Sequence, residues 1–190
     1  MSDPFTPSDS LTSIRKAHGI LISITIVLWF PFGVFLLRLL KVTHTVRWHA
    51  IWQGVGLLMT IVGFGSGRYL AEEIPDRANE PHVLLGTVIA VLFLLMPILG
   101  WLHHRQFVKH GITNWKSAVH KWGGRVLLLL GVVNGFTGLQ LSGEKMEAYV
   151  GLGVLAAVIL LVYLGIIWWK GRRMEVVDEM EMQAGQGSGK

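Results

Sequence analysis

The sequence predicts an all-α protein that lies in a membrane as a bundle of five transmembrane helices. Its 190 residues are 52% hydrophobic and only 15% charged, and the mean hydropathy is +0.51. These values are too apolar for an ordinary soluble domain. Five apolar stretches are long enough to cross a bilayer, which takes ~20 residues. The basic residues gather between these stretches, as membrane topology requires.

The predicted spans cover residues 19–40, 50–67, 83–102, 121–141 and 148–169. They must be helices, because lipid offers the backbone no hydrogen-bond partners. Pro31 and Pro97 fall inside the first and third spans, where they are expected to kink the helices. The short loops predict that consecutive helices are antiparallel neighbours. An aromatic belt is expected at the span ends, formed by Trp48, Trp52, Trp101, Trp122, Trp168 and Trp169.

Three regions are expected: a polar N-terminal tail at 1–14, a transmembrane domain at 15–170 and a flexible C-terminal tail at 171–190. The first residues lack the basic start and the cleavage site of a signal peptide. We therefore expect the mature chain to begin here or the sequence to be a piece of a longer one. The absence of cysteine excludes disulfides, zinc–thiolate sites, iron–sulfur clusters and thiol catalysis. A net charge of +5 fits a lipid bilayer and not nucleic acid, because the cations are spread between spans.

Loop charges predict the orientation. The side that holds the N-terminus carries 5 basic residues and the opposite side carries 12. Acidic residues are distributed the other way, 8 against 4. The positive-inside rule then places the N-terminus outside and the C-terminus in the cytoplasm.

Four histidines stand at the beginnings of four spans: His18, His49, His82 and His120. In an antiparallel bundle the first and third helices begin on one side of the membrane, and the second and fourth begin on the other. His18 and His82 therefore share the outer leaflet, and His49 and His120 share the inner one. The sequence predicts two histidine pairs, one in each leaflet.

Each pair fits a haem clamped between two imidazoles. Zinc usually takes three or four protein ligands, and neither pair has an obvious third. Glycines near the histidines would let a flat macrocycle approach: Gly19, Gly54, Gly56, Gly86, Gly123 and Gly124. A single histidine at this depth can also be an ordinary interfacial residue, and the matched set of four favours ligation. Four further histidines, ranked lower as ligands, lie in loops or at span ends: His44, His103, His104 and His110.

Three cations are candidates to bind the carboxylates of the inner cofactor. Arg125 lies five residues into the fourth span after His120, where an isolated charge is costly and usually has a partner. A haem propionate would supply one, and snorkelling to the headgroups is the alternative. Arg38 and Lys41, at the inner end of the first span, could do the same or bind an anionic reductant.

The segments "KAHGILI", "RWHAIWQGVGLLMTIVGFGSG", "EPHVLLGTVIAVLFLLMPILGWLHHR" and "NWKSAVHKWGGRVLLLLGVVNGFTGLQL" resemble the four haem-carrying helices of the cytochrome b561 family. The resemblance covers roughly 18–169 and is greatest to the five-helix branch, which often follows an extracellular DOMON domain in fungi and plants. It implies two b haems per chain, ligated by His18 with His82 and by His49 with His120. No DOMON domain is found in the 190 residues, so we expect either a stand-alone chain or a piece of a longer DOMON-containing protein.

The resemblance also implies a function. Family members pass electrons across a membrane, commonly from cytoplasmic ascorbate to ferric chelates or monodehydroascorbate outside. The expected protein is an oxidoreductase of that type in the plasma membrane or an endomembrane of a eukaryote. Its partners would be a small anionic electron donor and a ferric chelate or extracellular redox protein, with a homodimer left open. The alternative is a membrane anchor or electron-relay partner of a separate extracellular redox domain.

Overall fold

The computed structural model of the protein describes residues 9–39, 44–112 and 115–187, with side chains described up to 173. Within these ranges the chain is helical and contains no strand. Five helices follow one another: α1 (Asp9–Leu39), α2 (Thr45–Glu73), α3 (Pro81–His110), α4 (Trp115–Ser142) and α5 (Met146–Gly187). Each is long and apolar enough to cross a membrane, α5 over Met146–Arg173. The predicted five-helix membrane fold is confirmed.

The helix ends follow local backbone chemistry. Pro81 occupies the first turn of α3, where its missing N–H would have no partner. Gly111 ends α3 in the left-handed region (φ 69°) and donates its N–H to the Phe107 carbonyl at 2.8 Å, an arrangement glycine adopts at low cost. Gly143, with φ 65°, follows α4 in the same left-handed region and donates its N–H to the Gln140 carbonyl at 3.1 Å. The turns after α2, α3 and α4 are short, so neighbouring helices run antiparallel.

Two helices extend beyond the predicted apolar spans. α1 already begins at Asp9, inside the segment expected to be a polar tail, and α5 continues to Gly187, inside the expected flexible tail. The residues after 173 are rich in glutamate and methionine, which favour helix. Polar residues therefore extend α1 and α5 beyond their apolar segments.

α1 changes its helical geometry in the middle of the membrane. It is α-helical over Asp9–Ser23, π-helical over Ile24–Trp29 and α-helical again over Phe30–Leu39. The Phe30 N–H donates to the Thr25 carbonyl, five residues earlier. Pro31 follows directly; it lacks an N–H and its ring crowds the preceding turn. The distortion expected at Pro31 is therefore a π-turn, whereas α3 stays α-helical through Pro97.

The helices α1–α4 form the core, and α5 packs on its outside. The buried cluster comes mainly from α1 and α3, where Phe30 and Phe93 stack with ring centroids 4.7 Å apart. Its members are Ile26, Val27, Phe30, Ile89, Phe93 and Leu127. Most large apolar side chains of α5 are exposed, as expected for a lipid-facing helix. The core therefore lies at mid-membrane, between the two histidine pairs.

Candidate functional site

The structure brings His18 and His82 together at the side of the bundle where α1 and α3 begin. Their ring centroids are 6.1 Å apart and the ring planes are nearly perpendicular, at 88°. Both side chains are half-buried. This N-side pair, as we call it, is the one that antiparallel geometry predicts.

A backbone carbonyl on the facing helix orients each ring of the N-side pair. The Nδ1–H of His18 donates to the Gly63 carbonyl of α2 at 2.8 Å. The Nδ1–H of His82 donates to the Asn134 carbonyl of α4 at 2.9 Å. Because a carbonyl only accepts, the proton sits on Nδ1 and the lone pair of Nε2 is free to bind a metal.

Hydroxyl groups complete the same two contacts. Ser66 Oγ donates to the Gly63 carbonyl at 2.8 Å and lies 3.5 Å from the Nδ1 that this carbonyl holds. Thr137 Oγ1 donates to the Asn134 carbonyl at 2.8 Å and lies 3.3 Å from the corresponding Nδ1. The carbonyl and the hydroxyl three residues later therefore form one polar support for each imidazole.

A glycine lies under the edge of each ring. A Cβ placed on Gly67 would come within 2.7 Å of His18 Cε1, and a Cβ on Gly138 would come within 2.7 Å of His82 Cε1. Real Cβ contacts are essentially never that short. Each glycine follows the acceptor carbonyl by four residues, one helical turn. At both rings of the N-side pair, the turn that follows the acceptor carbonyl therefore carries no side chain that would crowd the imidazole.

A cavity of about 670 Å³ surrounds the two imidazoles of the N-side pair. This volume is in the usual range for a cofactor site, roughly 300–1,000 Å³. Its walls are mostly apolar, and its mouth is basic. The cations at the mouth are Arg15, Lys16, Arg68 and Arg77.

Two of these cations cap the end of α4. Arg15 Nη1 donates to the Ser142 carbonyl at 3.3 Å, and Arg77 Nη1 donates to the Leu141 carbonyl at 3.3 Å. The last carbonyls of a helix have no partner within it and carry partial negative charge, so guanidinium groups stabilise them. The sequence predicts positive charge on this side but not this contact, which joins α1 and the α2–α3 turn to α4.

The other predicted pair, the C-side pair, is His49 on α2 and His120 on α4. The Nδ1–H of His49 donates to the Gly33 carbonyl of α1 at 2.9 Å. His120 interacts electrostatically with His49 and faces the Met96 backbone, although its buried Nδ1 makes no hydrogen bond of acceptable geometry. A Cβ on Gly100 would lie 3.0 Å from His120 Cε1. The C-side pair shares the contact of a histidine with a facing carbonyl, but Leu37 stands four residues after Gly33, where the N-side pair has glycine, and the contact at His120 is looser.

Two arginines flank an aromatic ring of α5 near the C-side pair. The guanidinium of Arg125 lies 4.4 Å from the Trp122 ring centroid and 5.9 Å from that of Tyr163. Arg38 lies 5.5 Å from the same Tyr163 ring, which also stacks on Phe35 at 6.4 Å. The Tyr163 hydroxyl is buried and has no hydrogen-bond partner among the described residues. Lys41, the third predicted cation, lies outside the described residues.

The remaining four histidines are not among the residues at the starts of the spans. His103, His104 and His110 belong to the last turns of α3, and His44 precedes α2. Over the described ranges, no group of three or more histidine, cysteine, aspartate or glutamate side chains is arranged to hold a metal ion. Zinc sites need three or four such ligands, so the arrangement favours a group that takes two.

The N-side pair fits a metal held between two imidazoles. Ligand nitrogens at about 2.0 Å from a metal place two imidazole centroids roughly 6 Å apart on opposite sides of it. The separation here is 6.1 Å. The protonated Nδ1 atoms face away to carbonyls, and an apolar cavity adjoins the rings. These residues therefore fit a b-type haem. The glycines that seat the rings, Gly67, Gly100 and Gly138, are not the ones the sequence singles out.

The fold and the two sites define a class: membrane proteins in which a four-helix core carries one histidine pair toward each side. Comparison with known proteins gives two similar chains. The chain is 24% identical over 183 residues to an Arabidopsis thaliana protein described as a cytochrome b561 and DOMON domain-containing protein, covering 92% of this chain and 45% of that one. A second Arabidopsis thaliana protein of the same description is 22% identical over 161 residues, covering 82% of this chain and 39% of the relative.

These similarities extend over most of the chain and support a relationship to the cytochrome b561 family, the family that the sequence segments resemble. The chain spans less than half the length of these relatives. No protein-family model matches the chain, and no solved structure matches it.

Proposed function

We propose that this protein carries electrons across a membrane through two b haems, one held by His18 and His82 and the other by His49 and His120. The observation that carries the proposal is the orientation of the imidazoles. Three of the four donate Nδ1–H to a carbonyl of the facing helix, at 2.8–2.9 Å. The coordinating nitrogen is thereby left free in each of them, as ligand histidines require.

A b haem held by two imidazoles supplies one-electron transfer at the ring edge and leaves the iron no open position for oxygen chemistry. The protein's own residues fix where this occurs. On α2, His49 of the C-side pair and Gly63, whose carbonyl holds His18 of the N-side pair, are 14 residues apart, which is about 21 Å along a helix. An electron that passes through the two sites would therefore travel in steps that are each shorter than the hydrocarbon core, which is about 30 Å thick.

The core between the sites supports electron transfer over ion or proton transport. A transporter would need ionisable residues near mid-membrane. Here the buried layer contains Ile26, Phe30, Ile89 and Phe93. No buried side chain in the described part of the chain is charged. Apolar packing excludes water and leaves no series of proton-binding groups.

Arg38 and Arg125 are proposed to bind the carboxylates of the C-side haem. Both are half-buried, and neither is paired with a carboxylate in the described part of the chain. Their guanidinium groups lie on the Tyr163 ring, whose buried hydroxyl is also unpartnered. Two half-buried cations without a carboxylate partner and a free hydroxyl donor favour an anion between them. Lys41 is included in this proposal from its sequence position alone.

The proposed direction follows from charge. The C-side end carries most of the basic residues, so it is assigned to the cytoplasm and to a small anionic reductant such as ascorbate. The N-side pair then faces the outside, where a ferric chelate or monodehydroascorbate would be reduced. The membrane would be the plasma membrane or an endomembrane of a eukaryote.

A second candidate function is electron relay to a separate extracellular redox domain. It is favoured by the names of both relatives, which pair cytochrome b561 with a DOMON domain. In that case the outer acceptor would be a protein and not a chelate. The purified chain alone, with ascorbate enclosed in liposomes, would then reduce added ferric chelate slowly and a supplied redox domain quickly.

The spectrum of the purified protein tests the proposal. We expect reduced-minus-oxidised bands of low-spin haem and a pyridine haemochrome content of two haems b per chain. His82→Ala should lower the content to one. A wild-type protein that binds no haem, or an undiminished content in His82→Ala, would contradict the assignment.

A further inference from the structure

The core consists of two helix hairpins built on one plan. In α1–α2 and again in α3–α4, each helix carries a ligand histidine in its first half and, about four turns later, a carbonyl that faces the partner's histidine. Gly63 follows His49 by 14 residues, and Asn134 follows His120 by 14 residues. On α3, Met96 follows His82 by the same 14 residues.

The spacing of 14 has a geometric reason. An α-helix makes four turns in about 14.4 residues, so a histidine and a carbonyl 14 residues later lie on the same face. That face meets the antiparallel partner helix, so each hairpin can exchange two such contacts. A spacing of 15 would turn the carbonyl by about 100° relative to the partner.

α1 has a spacing that, in a regular α-helix, would not place its histidine and its carbonyl on the same face. Gly33 follows His18 by 15 residues, yet its carbonyl accepts the Nδ1–H of His49 at 2.9 Å. The π-helical segment Ile24–Trp29 lies between the two. A π-turn contains one more residue than an α-turn, so it absorbs the extra residue and returns Gly33 to the face shared with His18.

Side chains of α2 hold the widened turn in place. Trp52 Nε1 donates to the Trp29 carbonyl at 2.8 Å, and Trp29 Nε1 donates back to the Trp52 carbonyl at 2.9 Å. Gln53 Nε2 donates to the Phe30 carbonyl at 3.2 Å. The two indole rings stack at 4.1 Å. We call these three hydrogen bonds the tryptophan–glutamine lock. Because positions 49, 52 and 53 share one helical face, the lock and the histidine contact form a single interface.

The second hairpin has neither feature. The positions that follow His120 as Trp52 and Gln53 follow His49 are Gly123 and Gly124. They have no side chains to bond an opposing backbone, and α3 opposite them is α-helical throughout. The π-turn and its tryptophan–glutamine lock therefore occur together, in the hairpin whose spacing needs them.

We propose that the π-turn of α1 is a one-residue register device. It presents the Gly33 carbonyl to His49 and thereby orients one ligand of the C-side pair, with Trp52 and Gln53 as positioning residues. The inference rests on the proposed haem function and goes beyond it, because it assigns a role to backbone geometry at mid-membrane.

Two single-residue deletions in the full chain test the device. Leu28 lies in the π-turn and is partly exposed at 36%; deleting it should convert the turn to α-helix and leave Gly33 facing His49. Leu92, at 38% exposure, lies between His82 and Met96 in α3, where no wide turn can absorb a loss. Deleting Leu92 should rotate Met96 and Gly100 away from His120.

The readouts are haem content and the electron paramagnetic resonance signals of the two low-spin ferric haems. The Leu28 deletion should keep two haems and both signals, whereas the Leu92 deletion should lose or broaden the C-side signal. Loss of the C-side signal alone in the Leu28 deletion, or its retention in the Leu92 deletion, would overturn the proposal.

A second variant decides the matter if the Leu28 deletion does not fold. Trp52→Phe combined with Gln53→Leu removes the α2 side-chain donors of the tryptophan–glutamine lock and keeps the chain length. The proposal expects a shifted C-side signal and an unchanged N-side signal, and an unchanged C-side signal overturns it. A wild-type protein without haem would instead refute the proposed function, so the two failures are distinguishable.

Discussion

Replacing Gly67 with alanine should loosen the haem of the N-side pair and spare the other one. The new Cβ would lie 2.7 Å from Cε1 and 3.1 Å from Nδ1 of His18, so the ring must move away from α2 by several tenths of an ångström or more. That movement lengthens its bond to the Gly63 carbonyl, now 2.8 Å. Overpacking of this kind costs about 1–3 kcal/mol. Since about 1.4 kcal/mol corresponds to a factor of ten, haem affinity should fall roughly 5- to 150-fold.

Gly65 provides the matched control on the same helix. A Cβ there meets nothing within 4 Å, and Gly65→Ala should be neutral or slightly stabilising because alanine favours helix by about 1 kcal/mol. The assay is haem transfer from the detergent-solubilised protein to an excess of a haem-scavenging apoprotein, followed at the bands of each haem. The reasoning is refuted if Gly67→Ala releases the N-side haem no faster than Gly65→Ala does.

The remaining predictions concern the C-side pair and the orientation. His120→Ala should halve the haem content measured by pyridine haemochrome; a content that stays at two would move the ligand role to His103. Arg125→Ala should lower the midpoint potential of the C-side haem alone in a redox titration. The shift should be on the order of 40 mV, for a lost charge interaction of about 1 kcal/mol. Arg125→Lys should recover only part of the wild-type potential, because a point charge lacks the guanidinium fork. If neither midpoint changes, Arg125 snorkels to the headgroups. A C-terminal tag should survive protease added to intact right-side-out vesicles, and its loss without permeabilisation would reverse the proposed topology.

The helices and the proximity of His18 to His82 could be predicted from sequence because each depends on simple repetition, while the ligand roles of the four histidines stay predictions. Apolar length predicts spans, and alternating direction predicts which histidines share a side. The rings of His18 and His82 do meet. The exact ends of α1 and α5 could not be predicted, because helix continues into polar segments that hydropathy does not detect.

The supports of the imidazoles could not be predicted in the same way. The acceptors for His18, His49 and His82 are main-chain carbonyls, which every residue carries and no side chain marks. The sequence does contain a signal in retrospect: "GFGSG" at 63–67 and "NGFTG" at 134–138 both place a hydroxyl and then a glycine just after the acceptor. The sequence indicates the π-turn only indirectly, through the 15-residue interval from His18 to Gly33.

The choice of a carbonyl as the support follows from the membrane itself. A side-chain acceptor in lipid would need a partner of its own whenever the histidine moved away, and unpaired polar groups there are costly. A helical carbonyl is already satisfied by the N–H four residues later, and its second lone pair can accept the imidazole. What the sequence must supply is access to that lone pair. At the N-side pair, Gly67 and Gly138 at the fourth position remove a side chain that would crowd the ring. At the C-side pair, His49 reaches the Gly33 carbonyl although Leu37 occupies that position. The imidazole is thus held in a fixed orientation mainly by main-chain atoms of the neighbouring helix.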